Sequence, residues 1–303
     1  MTKSIYLFVL LVLPLGVMAQ QPTTAPTRAA SLHTLRQQLN GLTQPAQGRV
    51  GMAALVLETG DTLSIRGNER FPMQSVYKFP IGMAVLHQVD QGKLSLNQLI
   101  HVDKGEYVGS KQHSPIRDSL PGGIDIRIGD LLRYAVSQSD GSASDVLMRL
   151  VGGPTAIMAY LKSLNINSIR VLNTEKELGR DNTVQYVNWA TPTGMVGLLK
   201  AVQQGRGLSP ASRALLLRLM TETPTGPNRL KSLLPPGTVV AHKTGSSGTV
   251  ANLTAATNDV GLITLPNGHH LALAVFVSDS KAAPPTREAV IANMAKVVWE
   301  HCR

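Results

Sequence analysis

The chain has 303 residues, of which 43% are hydrophobic and only 16% are charged. This composition excludes an intrinsically disordered chain, and the length is enough to bury a large core in one large or two smaller domains. The formal net charge of +10 would suit a polyanionic partner, but the lysines and arginines are scattered and only 4% of the residues are aromatic. Charge and aromatic content therefore argue against nucleic-acid binding.

The N-terminus has the layout of a secretory signal. Lys3 precedes an apolar run at residues 5–15, and a small-residue exit at residues 17–19 predicts cleavage between Ala19 and Gln20. The run is too short for a membrane anchor, and no later stretch approaches the ~18 apolar residues of a spanning helix. We expect a chain that is exported to the periplasm or secreted, without a membrane anchor.

Cysteine and histidine content predict neither a disulfide within the chain nor a metal site. Cys302 is the only cysteine, so stability must come from ordinary packing, and a bond between the Cys302 residues of two chains stays open. None of the eight histidines falls in an H-x-H or H-E-x-x-H spacing, and His269 and His270 lie in a predicted turn. We therefore predict no metal and no cofactor.

The first predicted elements are a helix and a hairpin. A polar linker at residues 20–27 precedes leucines at helical spacing, which predict an amphipathic helix at residues 32–42. Residues 50–58 and 62–66 have strand patterns on either side of Gly60-Asp61, which predicts a β-hairpin.

The region from Ser75 to about residue 221 has mostly helical patterns. The predicted helices are residues 75–90, 126–139, 142–153, 192–205 and 209–222. In the last of these, Ser209 is the predicted N-cap and Pro210 occupies the first turn.

Strand patterns return after the helical region. Residues 237–243 form one predicted strand, and residues 259–266 and 269–278 form a hairpin in which Asn267-Gly268 supplies the positive φ angles of a tight turn. Apolar residues at helical spacing then predict a last helix within residues 286–302.

This order of elements predicts an α/β fold with an inserted helical domain. An antiparallel sheet is flanked by N- and C-terminal helices, and an all-helical domain lies between its strands. We assign residues 28–73 and 222–303 to the α/β domain and residues 74–221 to the all-helical domain.

The spacing Ser-x-x-Lys occurs twice, from Ser75 to Lys78 and from Ser278 to Lys281. The first pair falls at the start of a predicted helix, where positions i and i+3 share a face and Pro80 is tolerated. Serine is a weak nucleophile, and a nearby amine with a depressed pKa can activate it. Because Ser278 instead ends a strand and enters a loop, Ser75 is the candidate nucleophile.

Two further motifs follow in order, S-D-G at residues 139–141 and K-T-G at residues 243–245. With Ser75, Lys78 and an intervening Glu175, the chain resembles the class A serine β-lactamases, whose signature is S-x-x-K, S-D-N and K-T-G. The resemblance covers nearly everything after the signal. A longer interval between the first two motifs, and the sequence TVQYVNWATP after the catalytic loop, resemble the extended-spectrum subgroup.

The resemblance implies a mechanism through an acyl-enzyme. Ser75 would attack the β-lactam carbonyl while Lys78 helps remove its proton, and Glu175 acting through water is the alternative base. Glu175 would also activate the water that hydrolyses the acyl-enzyme, and Ser139 would relay a proton to the leaving nitrogen. Backbone N–H groups of Ser75 and Ser246 would form the oxyanion hole.

The implied substrates are β-lactams, penicillins first and cephalosporins second, and we expect a monomer. The implied substrate-binding residues are Lys243, Thr244, Gly245, Ser246, Arg229 and His113. Arg229 matches an arginine that some class A enzymes use for the substrate carboxylate, and a guanidinium fork suits that geometry. His113 stands where the family has an aromatic wall.

Several positions depart from the family pattern. Because the S-D-G motif ends in Gly141, the amide that normally holds the lysine and the substrate's side-chain carbonyl is missing. At Gly179 the family often has an asparagine that helps hold the hydrolytic water. Asn173 and Asn188 occupy positions where many members have an Arg–Asp ion pair, so we expect the catalytic loop to be built differently.

Other functions share part of this pattern. A penicillin-binding D,D-peptidase has the same fold and serine but lacks a deacylating glutamate, so Glu175 argues against it. A penicillin-binding receptor or sensor that stays acylated is suggested by Gly141 and Gly179. A serine glutaminase can have S-x-x-K, but it fits the K-T-G motif and the Glu175 loop poorly.

Overall fold

The computed structural model describes residues 1, 2, 4, 5, 28–181 and 183–303. Most of the predicted secretory signal and the whole predicted linker at residues 20–27 lie outside these ranges. The helices are α1 (Arg28–Thr43), α2 (Lys78–Asp90), α3 (Pro115–Ser119), α4 (Ile128–Leu132), α5 (Gly141–Leu150), α6 (Gly153–Ser163), α7 (Glu175–Leu178), α8 (Pro192–Gln203), α9 (Pro210–Thr221) and α10 (Pro284–Cys302). The strands are β1 (Arg49–Val56), β2 (Thr62–Ile65), β3 (Phe71–Pro72), β4 (Leu99–Val102), β5 (Ile124–Arg127), β6 (Ile169–Arg170), β7 (Trp189–Ala190), β8 (Val240–Ser246), β9 (Thr249–Val250), β10 (Leu253–Thr254), β11 (Thr257–Thr264) and β12 (His270–Ser278). Within those ranges, none of the helices combines the length and the apolar composition needed to cross a bilayer.

A five-stranded antiparallel sheet in the order β2-β1-β12-β11-β8 forms the centre of the fold. In its register, Ala53 and Val260 both lie opposite Ala274, and Val260 also lies opposite Lys243 on the edge strand β8. Because successive residues of a strand point to opposite faces, this row places the Lys243 side chain on the same face as three small apolar residues.

The sheet separates two hydrophobic cores, as the predicted fold class requires. Leu55 and Phe276 belong to the core on the helical side, where α8 packs against β1 and β12. Leu273 and Val275 belong to the opposite core, where α10 and α1 cover the sheet. Since α8 comes from the predicted helical domain yet packs on the sheet, the domain boundaries at residues 74 and 222 stay a prediction.

Helix α2 is the central helix of the helical region. Its residues from Lys78 to Leu86 are all buried, and α5, α6 and α9 pack around it. Gly82 interrupts the apolar pattern because Val136 approaches there, and a Cβ at this position would lie 2.9 Å from the Val136 side chain. A helix that is apolar all round is fixed by its neighbours. The residues at its N-terminus are therefore held in place.

The predicted turn at Asn267-Gly268 was wrong in its geometry. Of these two residues only Gly268 has a positive φ, of 84°. The Gly268 N–H donates to Leu265 O at 2.9 Å, and the Leu265 N–H donates to His269 O at 2.8 Å. Pro266 restricts its own φ to negative values, so the chain closes the hairpin with a three-residue loop that ends in a left-handed glycine.

The predicted helix at residues 126–139 was wrong at its start. Ile126 lies in β5 and pairs with Ile100 of β4, because residues 124–127 alternate between isoleucine and charged side chains. The chain then forms α4 and a π-helical turn at Arg133–Ser137 before it leaves the helical path.

Candidate active site

The candidate nucleophile lies in a 3-10 turn, Gln74–Tyr77, that leads directly into α2. Gln74 has a left-handed backbone with φ 48°, which turns the chain sharply before Ser75. One turn later, Lys78 Nζ donates to Ser75 Oγ at 2.9 Å. The Asn258 side chain of β11 donates to Pro72 O at 2.8 Å and anchors this segment to the sheet.

The second Ser-x-x-Lys spacing forms no such pair. Ser278 is fully buried, and its Oγ donates to Ala255 O at 2.8 Å. Lys281 is exposed. The choice of Ser75 as the nucleophile is therefore consistent with the geometry of both copies.

Lys78 contacts three other groups of the site. Its buried ammonium group has three hydrogen-bonding directions, and they point to Ser75 Oγ, to Ser139 O at 2.8 Å and to Glu175 Oε2 at 3.1 Å. All three N–H donors are therefore used, and the amine must lose a proton before it can accept the one on Ser75.

Glu175 stays ionised although only 14% of its side chain is exposed. Burial raises the pKa of its carboxyl group, but the charge of Lys78 and the hydrogen bond from Tyr77 outweigh burial and leave the pKa below its ordinary value of 4.5. Tyr77 Oη donates to Glu175 Oε2 at 2.8 Å, and burial raises the pKa of Tyr77 well above 10, so it stays a donor. Both contacts use Oε2, which leaves Oε1 free for a water molecule.

Ser139 and Lys243 form the opposite wall of the site. Ser139 follows the π-helical turn with φ 62°, an uncommon backbone conformation for serine that turns its side chain out of the helical path. Lys243 Nζ donates to Ser139 Oγ at 2.8 Å from the face of β8 that looks toward the helices. Burial, and then the charge of Lys78, lower the pKa of Lys243 well below its ordinary 10.5.

The remaining residues of the K-T-G segment connect the site to the sheet. Thr244 Oγ1 lies 2.8 Å from Thr225 Oγ1. A Cβ at Gly245 would come within 3.2 Å of Val76 N, so glycine lets β8 lie against the segment that carries the nucleophile. Ser246 is the exposed end of the strand.

Arg229 lies behind Ser246 and is buried. Its Nη2 donates to Ser246 Oγ at 2.7 Å, its Nη1 to Asn258 O at 2.9 Å, and its Nε to Glu288 at 3.1 Å. Glu288 thus holds the far side of the guanidinium while Nη2 faces the strand end. The residue type alone would suggest a solvated arginine at the surface. The structure instead buries Arg229.

His113 lies at the rim of the site. Its side chain is exposed, and Nε2 is 2.9 Å from Gln138 O. Its carbonyl accepts a hydrogen bond of 2.9 Å from the N–H of Gly141. His113 also lines an open cavity of about 440 Å³ together with Gln138 and Thr225.

In the loop that carries Glu175, Asn188 and Asn173 hold each other through neutral hydrogen bonds. Asn188 is fully buried, its Oδ1 accepts from the N–H of Asn173 at 3.0 Å, and its Nδ2 donates to Asn173 O at 2.8 Å. Thr174 caps α7 and forms a reciprocal pair with Glu177. The family resemblance led us to expect a loop without the Arg–Asp ion pair. The hydrogen bonds between Asn173 and Asn188 occupy the positions of that pair.

Sequence reasoning missed Asp145 and Gln112. Asp145 Oδ1 accepts the N–H of Glu175 at 2.6 Å, and Oδ2 accepts the N–H of Lys176 at 2.9 Å. Burial raises the pKa of Asp145 to about 6. Gln112 Nε2 donates to Glu175 O. Each is a single polar residue far from its partner in sequence, and no periodicity or local motif marks it.

The arrangement can support acyl transfer followed by hydrolysis. A carboxylate, an amine and a serine hydroxyl are joined from Glu175 through Lys78 to Ser75, and a second amine and hydroxyl are joined from Lys243 to Ser139. Lys78 Nζ connects the two groups through the backbone carbonyl of Ser139. In the ranges that the structure covers, no group of three or more histidine, cysteine or acidic side chains could hold a metal ion.

Comparisons with known proteins match most of the chain to one family. Residues 34–302 match the family described as the β-lactamase enzyme family. The chain is 44% identical over 267 residues to the extended-spectrum β-lactamase PER-1 of Pseudomonas aeruginosa, covering 88% of this chain and 86% of PER-1. It is 39% identical over 274 residues to β-lactamase VEB-1 of the same organism, covering 90% and 91% of the two chains.

Solved structures of similar proteins show the same fold. A β-lactamase from Chitinophaga pinensis is 47% identical, with a TM-score of 0.87 over 89% of this chain and 100% of the other. The TLA-1 extended-spectrum β-lactamase is 41% identical, with a TM-score of 0.87 over 89% of this chain and 99% of the other.

Proposed function

Because the chain belongs to the class A β-lactamase family, we propose that it hydrolyses the amide bond of β-lactams through an acyl-enzyme on Ser75. The observation that carries this proposal is the position of Lys78 Nζ, 2.9 Å from Ser75 Oγ and 3.1 Å from Glu175 Oε2. One amine thus joins the nucleophile of the first step to the base of the second.

In the acylation step, Lys78 first passes a proton to Glu175 and then accepts the hydroxyl proton of Ser75. As that proton leaves, Ser75 Oγ bonds to the β-lactam carbonyl carbon, and backbone N–H groups of Ser75 and Ser246 stabilise the oxyanion. Glu175 acting through a water molecule is the other candidate base.

Ring opening requires a proton on the leaving nitrogen. When the C–N bond breaks, the nitrogen takes the hydroxyl proton of Ser139, which Lys243 resupplies across 2.8 Å. The lowered pKa of Lys243 suits a group that gives up a proton. This step completes the acyl-enzyme.

Before deacylation, Glu175 releases to solvent the proton it took during acylation, and Lys243 takes one back from solvent. Oε1 of Glu175 then accepts a proton from water while the water oxygen attacks the ester carbonyl. The Ser75 oxygen leaves with a proton from Lys78, and Glu175 passes its new proton to Lys78 across their 3.1 Å contact, which restores the resting site. The low pKa of Glu175 keeps the base in its charged form at neutral pH.

The substrate carboxylate binds at the end of β8. Lys243, Thr244 and Ser246 present an ammonium group and two hydroxyls there, and Arg229 adds its charge through Ser246. We also assign substrate binding to Gly245, which follows Thr244 in β8, and to His113, which lies beside Gln138 next to Ser139.

The substrates are penicillins and cephalosporins. A cavity of about 310 Å³ with a mainly apolar lining lies between Tyr186 of the catalytic loop and Val250 and Leu253 of the β9–β10 hairpin. This hairpin follows Ser246 in the chain, so the cavity lies near the end of β8. The volume of the cavity gives room for a bulky acyl side chain. PER-1 and TLA-1 are extended-spectrum β-lactamases, which supports the larger substrates.

The exported form is a monomer that begins at Gln20. The signal layout at the N-terminus of the sequence supports export.

The proposal is tested by intact mass spectrometry after exposure to a penicillin. Glu175→Ala should accumulate an adduct of one substrate mass, because acylation is slowed but Lys78 can still lose its proton to solvent, whereas deacylation has lost its base. Ser75→Ala should show no adduct, and the matched control Ser278→Ala should behave like the wild type. An adduct that persists in Ser75→Ala, or unchanged turnover in Glu175→Ala, would remove that residue from its role.

A further inference from the structure

We propose that Gln112 is the positioning residue of Glu175, supplying from a neighbouring loop the carboxamide that the chain lacks at Gly179. This deepens the proposed function and rests on Glu175 acting as the deacylation base. Gln112 lies between the first two motifs and outside every signature of the family.

The peptide groups of Glu175 are held from two sides. Gln112 Nε2 donates to Glu175 O, and Gln112 Oε1 accepts the N–H of Gly109 at 3.2 Å. Asp145 Oδ1 accepts the N–H of Glu175 at 2.6 Å from α5. With both its N–H and its carbonyl fixed by side chains of other segments, Glu175 has little freedom to shift its carboxylate.

Gln112 also fills the space that a side chain at position 179 would occupy. A Cβ at Gly179 would lie 2.5 Å from Gln112 Cδ and 2.8 Å from Gln112 Nε2, closer than real Cβ contacts come. A side chain at position 179 would therefore require the carboxamide of Gln112 to leave the place it holds against Glu175 O. The two residues form one unit, in which the glycine makes room and the glutamine contributes the amide.

The loop that presents Gln112 is itself held in place. Arg117 Nη1 donates to Gly109 O at 2.6 Å, to Gln112 O at 3.0 Å and to Val108 O at 3.2 Å. Lys176, next to Glu175, donates to Gly105 O at 2.7 Å and ties the two loops together a second time. A carboxamide on such a supported backbone keeps its geometry, as a positioning group must.

The direct test is the decay rate of the acyl-enzyme in Gln112→Ala, measured by intact mass after rapid removal of free penicillin. We expect decay to slow by about 10- to 100-fold, the loss that a displacement of a catalytic group near 1 Å produces. The value of kcat/KM, which reports acylation, should stay within about 3-fold of the wild type, so kcat and KM should fall together.

Three further variants separate positioning from a general structural effect. Lys111→Ala, an exposed neighbour, should match the wild type. Gln112→Met keeps the bulk without the amide and should be as slow as Gln112→Ala. Gly179→Asn should impair deacylation alone but restore much of it in the Gln112→Ala background, where its carboxamide has room.

The outcomes distinguish this inference from the proposed function. If the wild type turns over and Glu175→Ala accumulates adduct while Gln112→Ala decays at the wild-type rate, the inference on Gln112 is overturned and the proposed function stands. Equal losses in kcat and kcat/KM, or wild-type decay in Gln112→Met, would also overturn it. A wild type that neither hydrolyses penicillin nor forms an adduct would overturn both.

Discussion

Gly141→Asn, which restores the usual third residue of the S-D-N motif, is expected to impair deacylation in this protein. A Cβ at Gly141 would lie 2.7 Å from Glu175 Cγ, 3.2 Å from His113 O and 3.3 Å from the Val108 side chain. Ordinary carbon contacts begin at 3.4 Å, so Glu175 or the backbone of α5 must move by about 0.7 Å even before the rest of the asparagine is placed.

Glu175 cannot move by this distance without losing its hydrogen bonds and its ion pair. Its carboxylate is bonded to Lys78 and Tyr77, and its peptide N–H is bonded to Asp145. A shift approaching 1 Å in a catalytic group lowers a rate by ~100-fold, so we expect deacylation to slow by about 10- to 100-fold. Overpacking of this kind also costs about 1–3 kcal/mol of folding free energy.

The assay measures the decay of the acyl-enzyme by intact mass, together with the free energy of unfolding in urea. Gly141→Ala should show most of the defect, since the clash begins at Cβ. The matched control is Gly122→Ala, where nothing lies within 4 Å of the new methyl group. Gly141→Asn with wild-type or faster deacylation would refute the reasoning and show that Glu175 has another position.

Two further predictions concern pH. Because Lys78 and Tyr77 keep the pKa of Glu175 below 4.5, deacylation measured on a preformed acyl-enzyme should lose activity only as pH falls through a midpoint below 4.5, and a midpoint above it would contradict the charge assignment. The pKa of Asp145 is about 6, raised from an ordinary 3.8. The folded state therefore holds the carboxyl proton more tightly than the unfolded state does. The stabilisation of the fold by this protonated carboxyl group is present at low pH and is lost as pH rises through about 6. In urea unfolding, wild type should therefore lose up to ~3 kcal/mol relative to Asp145→Asn between about pH 4 and pH 7, whereas a pH-independent difference would show an unperturbed carboxyl group.

Local order in the sequence was enough to predict the main strands of the sheet and the Ser75–Lys78 pair, whereas Ser139, Glu175 and Lys243 were expected from the family resemblance. Alternating and continuous apolar runs at both ends marked the strands that pair as β1, β11 and β12. Ser75 and Lys78 lie one helical turn apart, so their contact follows from local geometry alone. The register places the Lys243 side chain on the face of β8 that looks toward Ser139.

Contacts between residues far apart in the sequence determine the features that local sequence patterns did not predict. The resemblance indicated that an amide side chain of the family is missing at Gly141 and at Gly179. It did not predict that Glu175 and Gln112 occupy the space that those side chains would fill. Asp145 and Gln112 reach Glu175 across sequence separations of 30 and 63 residues, and such single contacts have no periodic signal. The helical prediction at residues 126–139 failed for the same reason, because pairing with β4 overrode local propensity.

The measurement that tests the central claim most directly is hydrolysis of the chromogenic cephalosporin nitrocefin by the purified chain beginning at Gln20, with intact mass recorded after exposure to penicillin. The account predicts many turnovers per enzyme and a protein that returns to its unmodified mass. A single stoichiometric adduct on Ser75 without turnover would contradict it and would indicate a penicillin-binding sensor whose Glu175 does not deacylate.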